Sequence, residues 1–118
     1  MKTFIFSGYL KTENTELIME ILKTIVGGSN LRQRYASDIQ KEIKYEDDVK
    51  EIYIYEDFNK SFLCNAELKG TFEEAQQFIF QLTNSLKKAN IHYQFEWSEI
   101  DEEDNQVGEE YEIVFPEI

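Results

Sequence analysis

Lysine and arginine are missing from the last 30 residues of this 118-residue chain, which hold ten of its 24 acids. Such a segment repels nucleic acid and anionic membranes, so direct binding to either is not expected. Cysteine occurs once, as Cys64. No internal disulfide can form, and a cytosolic protein is the simplest expectation. Histidine also occurs once, as His92. A conventional zinc site draws on several His or Cys, so none is expected. There is no P-loop and no G-x-G-x-x-G run, so neither phosphate-cradling loop is on offer. No run of about 18 apolar residues exists to span a membrane. The opening stretch "MKTFIFSGYLKTEN" alternates like a strand and lacks a small-residue cleavage site. It is not read as a signal peptide.

What is present is enough for one domain over residues 1–118. Hydrophobic residues make up 42% and aromatics 14%. At this length folding buries about two-thirds of the unfolded chain's surface, which supports a core without metals or disulfides. The formal net charge is −12, and it is unevenly placed. Residues 1–88 carry all 12 Lys and Arg against 14 acids. Nearly all of the imbalance therefore lies in the tail end.

Hydrophobic periodicity sets the expected elements. "TFIFSGYL" is apolar on both alternating faces and predicts a central strand covered on both sides. "TENTELIMEILKTIVGG" repeats Leu17, Ile18, Ile21, Leu22 and Ile25 at helical spacing. Thr12 or Asn14 can cap its start, and Gly27-Gly28 can stop it. Residues 29–50 place Leu31, Tyr35, Ile39 and Ile43 four apart, which predicts a short helix or an irregular crossing. "EIYIYEDFNKSFLCNAELKG" predicts a hairpin with "DFNK" as its turn. "TFEEAQQFIFQLTNSLKKAN" opens on a Thr71/Glu74 capping box and buries Ala75, Phe78, Ile79, Leu82 and Leu86. "IHYQFEWSEI" and "EEYEIVF" alternate as strands, with Pro116 ending the last. The sum is α+β: a ferredoxin-like βαββαβ arrangement with an added C-terminal strand, its antiparallel sheet covered by two helices on one face.

The segment "DEEDNQVGEEYE" has the length of an EF-hand loop, with Asp101, Glu103, Asn105 and Glu112 at ligand positions 1, 3, 5 and 12. Position 6, which needs glycine, holds Gln106, and the flanks alternate as strands rather than helices. A solvated hairpin loop is expected instead, with no metal and no cofactor. Cys64 falls on an apolar strand face and His92 on a polar one, so no Cys–His pair is expected. Tyr9, Tyr53, Tyr55 and Trp97 invite an RNA-module reading, but the RNP signature is absent and the charge is wrong. Paired carboxylates are too numerous to mark acid–base chemistry.

What the pattern favours is a non-enzymatic acidic binding protein. In a strand, residues two apart project from one face at about 6.6 Å. Glu110 and Glu112 are so placed, with Glu96 beside them on the neighbouring strand. Glu99, Asp101, Glu102, Glu103, Asp104 and Glu109 crowd the loop. Such self-repulsion is offset by a partner rich in Lys and Arg. Tyr53 and Tyr55 are expected to add aromatic contacts. The partner class is a basic protein such as a nuclease or toxin, whose groove a DNA mimic would fill. In composition the chain is similar to small acidic phage inhibitors and bacterial toxin-immunity proteins, though no motif carries that likeness. Two alternatives are a regulatory or ligand-binding domain that forms a homo-oligomer, and a carboxylate-dependent enzyme.

Overall fold

A computed structural model describes residues 2–35, 41–57 and 60–116. Period-two alternation becomes seven strands: β1 (Lys2–Lys11), β2 (Leu31–Tyr35), β3 (Lys41–Glu46), β4 (Lys50–Asp57), β5 (Ser61–Gly70), β6 (His92–Ile100) and β7 (Gln106–Phe115). Two helices interrupt them, α1 (Thr15–Val26) and α2 (Phe72–Lys88). Asn14 caps α1 by accepting the Leu17 N–H at 3.1 Å. The capping box of α2 is complete. Thr71 Oγ1 accepts the Glu74 N–H at 3.1 Å, and Glu74 Oε1 accepts the Thr71 N–H at 3.0 Å. Two orphan donors of the first turn are thereby satisfied. Among the described residues no helix is long and apolar enough to cross a membrane.

The strands form one antiparallel sheet in the order β2-β3-β4-β5-β1-β6-β7. This corrects the ferredoxin-like βαββαβ expectation: among the described residues there are seven antiparallel strands and two helices, and about 53% of those residues are strand. The difference comes from residues 29–50. No short helix forms over Leu31 and Ile43; they lie on β2 and β3, which extend the sheet beyond β4. A four-residue repeat is a multiple of two, so Leu31, Tyr35 and Ile43 satisfy a strand pattern as well as a helical one. Ile39 lies outside the described residues, as do positions 58 and 59 of the expected "DFNK" turn.

One sheet face carries the core. Phe4, Phe6, Leu10, Ile43, Ile52, Ile54, Phe62, Cys64, Phe95 and Trp97 are buried there with Ile18 and Leu22 of α1 and Phe78, Ile79, Leu82 and Leu86 of α2. Phe6 meets Phe78 edge-on at 5.2 Å between centroids and stacks on Trp97 at 5.6 Å. Each fully buried aromatic of this kind is worth about 2–3 kcal/mol of transfer free energy. β1 is not covered on both sides as its sequence predicted. Ile5 is 40% and Tyr9 37% exposed, on the face away from the core. Antiparallel sheets tolerate one solvated face, because no crossover helix has to lie across it. Gly8 allows β6 to lie against β1. A Cβ there would sit 2.0 Å from the Gln94 carbonyl oxygen.

Candidate functional site

The acidic tail end is the β6–β7 hairpin, at one end of the sheet. Its loop is organised by Asp101. One carboxylate oxygen accepts the N–H groups of Glu103 at 2.9 Å and Asn105 at 3.0 Å. The Asp101 N–H donates to the Asn105 carbonyl at 2.9 Å, and the Asp104 N–H to the Asp101 carbonyl at 3.1 Å. Asp101 is therefore an Asx-type turn residue that shapes the loop. Glu102, Glu103 and Asp104 stand exposed at the tip.

Gly108, out of place for a metal loop, has a role in the sheet. Trp97 pairs with Tyr111 and Glu99 with Val107, so Ser98 alone faces residues 108–110. Gly108 adopts φ 77° in this bulge, a conformation that a Cβ disfavours. The excess residues turn Glu109 and Glu110 outward, and both are exposed. Past the bulge, Glu96 and Glu112 face each other across the strands. Their alternation puts them on the open sheet face. The Gln94 amide steadies Glu112 by donating to its carboxylate at 3.0 Å. Directly opposed like charges destabilise a strand pair.

Two of the expected residue groupings do not form. Glu99 shares the core-face phase of Phe4 and lies 3.6 Å from Lys2 Nζ, away from Glu96 and Glu112. Tyr53 and Tyr55 are half-buried on β4, with ring centroids 5.1 Å apart. Three strand steps, about 14 Å, separate β4 from β6. The aromatic at the acidic hairpin is instead Tyr111, 36% exposed, leaning on Trp97 at 4.7 Å and Phe72 at 5.7 Å. Its place opposite Trp97 follows from the register set by the bulge, which no local pattern reveals.

The other end of the sheet is chemically different. On the open face the register builds one cross-strand row: Arg32, Lys44, Tyr53, Asn65, Ser7, Glu96, Glu112. The row begins with two cations on β2 and β3 and ends with two anions on β6 and β7. Tyr53 donates its hydroxyl to Glu42, and the next row sets Tyr55, Leu63 and Tyr9 side by side. At the β3–β4 turn, Asp47 accepts the N–H groups of Val49 and Lys50, each at 2.8 Å, and the Tyr45 hydroxyl. That hydrogen bond, with burial and the adjacent charge, pushes Tyr45 up to about 12. Burial pushes the Asp47 carboxyl up, but bonds from Tyr45, Val49 and Lys50 and the Lys50 charge outweigh it and hold Asp47 below its ordinary value.

Cys64 and His92 do not meet. Cys64 is in the core, and burial raises its thiol to about 12. His92 is exposed on the opposite face, edge-on to Phe115 at 5.7 Å. Among the described residues no three His, Cys, Asp or Glu converge on a point fit for a metal. A groove of about 600 Å³ lies beside the start of α2, lined by Lys2, Val49, Lys69, Phe72, Glu73 and Glu74. Its charges are of both signs, and Glu74 is committed to the capping box. The chain matches no protein family, and no curated protein is similar to it in sequence. Its class is thus given by architecture, as a two-helix, seven-stranded antiparallel α+β domain.

Proposed function

We propose that the protein is a non-enzymatic binding domain of the cytosol that lays its β6–β7 hairpin on a basic protein and blocks it. The observation that carries this reading is charge without compensation. Glu96, Asp101, Glu102, Glu103, Asp104, Glu109, Glu110 and Glu112 are all exposed. Among the described residues none of these eight meets a Lys or Arg; Glu99 alone does, through Lys2. Concentrated negative potential of this kind speeds association with a cationic partner and rejects nucleic acid. A nuclease or toxin has the matching surface, because it must itself attract phosphate or anionic targets. Tyr111, at the hairpin's edge, supplies an aromatic contact in place of Tyr53 and Tyr55.

The test is capture from native-host extract, followed by affinity measured against salt. Binding is expected to weaken steeply as salt rises, and to fall at least about tenfold when Glu102, Glu103 and Glu109 are changed to Lys. Affinity indifferent both to salt and to those reversals refutes the reading.

A further inference from the structure

We infer that the open sheet face is a docking surface for a second copy of this chain, the two sheets stacking face to face about a twofold axis along β5. The inference goes beyond the partner proposed above and rests on different evidence: both signs of charge sit at opposite ends of one face.

A twofold axis lying between two stacked sheets and running along the central strand reverses the strand order of the facing copy. β5 is that strand, fourth of seven. β2 then faces the second copy's β7, β3 faces its β6, and β4 faces its β1. The cross-strand row that starts at Arg32 and ends at Glu112 becomes self-complementary. Arg32 meets the second copy's Glu112, and Lys44 meets its Glu96. Symmetry repeats both pairs, so four cation–carboxylate contacts form at the two rims. In the next row Tyr55 meets the second copy's Tyr9, and Leu63 meets its own counterpart. The centre of that row is thus aromatic and aliphatic, the centre of the first row is polar, with Tyr53, Asn65 and Ser7, and the rims of the first row are charged.

Size and shape agree with this. Seven strands put β2 and β7 about 29 Å apart, and three side-chain rows add about 20 Å along the strands, a patch of about 600 Å². That lies at the small end of specific interfaces, fitting a weak dimer. Stacked sheets cross at about −30°, which displaces the outermost strands by about 7 Å, within reach of Arg, Lys and Glu side chains. Burying this face also covers Ile5 and Tyr9, which are 40% and 37% exposed in the single chain. End-to-end addition of β7 to β2 would use the same charges but leave Ile5 and Tyr9 in water. The third row opposes association: Glu46, Glu51 and Glu67 stand side by side on β3, β4 and β5, Glu67 faces its own counterpart across the axis, and Glu51 faces the second copy's Ile5. The loop tip at Glu102–Asp104 and Glu109 lie outside the paired rows and stay free for the basic partner.

The experiment is sedimentation velocity of the purified full chain from about 10 µM to about 1 mM, which needs no other protein. The wild type is expected to pass from monomer to dimer. Arg32→Glu with Lys44→Glu is expected to weaken dimerisation at least about tenfold, and so is Glu96→Lys with Glu112→Lys. An equimolar mixture of these two double variants is expected to dimerise again, because every rim contact is then attractive. Glu67→Gln is expected to tighten the dimer. Circular dichroism checks that each variant is folded; if a reversal unfolds, Arg32→Gln with Lys44→Gln replaces it, with a smaller shift in the same direction. A wild type monomeric throughout, a dimer indifferent to the reversals, a mixture that fails to associate, or growth beyond dimer overturns the proposal. The dimer takes Glu96 and Glu112 from the surface proposed for the basic partner, so capture of that partner is tested separately, at Glu102, Glu103 and Glu109, which the dimer leaves free.

Discussion

The two ends of the sheet meet the same physical problem with opposite charges. An edge strand offers unpaired N–H and C=O groups and invites unwanted pairing, which charge and brevity discourage. At one end β2 is only five residues long and carries Arg32 beside Lys44. At the other, β7 is ten residues long and carries Glu109, Glu110 and Glu112. The first end also sets like charges across the strands, Arg32 against Lys44, but Arg32 donates to the Ser29 and Leu31 carbonyls and the nearby acids take hydroxyl donors, Glu42 from Tyr53 and Asp47 from Tyr45. The second leaves Glu96 against Glu112 across the strands. Compensated charge there serves folding. Uncompensated charge weakens the hairpin slightly, a cost that the proposed basic partner would offset.

Breaking the joint between the ends should have the largest effect. Gly8→Ala puts a methyl group into the Gln94 carbonyl and pushes β6 from β1, so a loss of about 3 kcal/mol is expected in denaturant unfolding. Next comes the compensated end. Tyr45→Phe leaves the Asp47 carboxylate short of a donor and should cost about 1.5 kcal/mol near neutral pH. Its pH signature is specific. Tyr45 holds its proton more tightly folded than unfolded, so its share of stability is complete below pH 10.0 and is lost as pH rises towards about 12. Asp47 is lower folded than unfolded, so its share is complete above 3.8 and is lost as pH falls through the lower folded value. Unfolding midpoints against pH should bend less at both extremes in Tyr45→Phe than in the wild type.

A smaller effect is expected from Asp101→Ala, which removes the acceptor for two loop N–H groups. About 1 kcal/mol should go, with faster amide hydrogen exchange at residues 103–105 and little change at the β2–β3 end. The smallest effect sharpens the comparison most. Glu112→Gln relieves the pair with Glu96 and should stabilise by a few tenths of a kcal/mol at low salt, a gain that fades as salt rises. Glu42→Gln, the same chemical change at the other end, should destabilise, because Tyr53 loses a charged acceptor. Equal signs in the two variants would mean that the ends do not differ in compensation.

How far these regions were legible in the sequence follows the range of the interactions. Thr71 and Glu74 are three residues apart, so their capping box was readable before the fold. The β6–β7 hairpin and its solvated loop were readable too, from alternation on both sides of an acidic run. Leu31 and Ile43 were not, since their spacing suits both helix and strand until β4 offers an edge to pair with. The separation of Glu99 from Glu96 was legible, because three positions along a regular strand put side chains on opposite faces. The distance of Tyr53 from the hairpin was not, because sheet order decides it and arises between segments far apart in the chain.

By itself the sequence determined the composition of each element, the caps of both helices, and the segregation of acids into the last 30 residues, because these depend on neighbours within a few positions. Only the tertiary structure decided that β1 would show one face to water and that Arg32, Lys44, Glu96 and Glu112 would stand in one row. Strand pairing joins residues up to 97 positions apart, Thr3 with Ile100, and its register is settled by whole hydrophobic faces competing for one core.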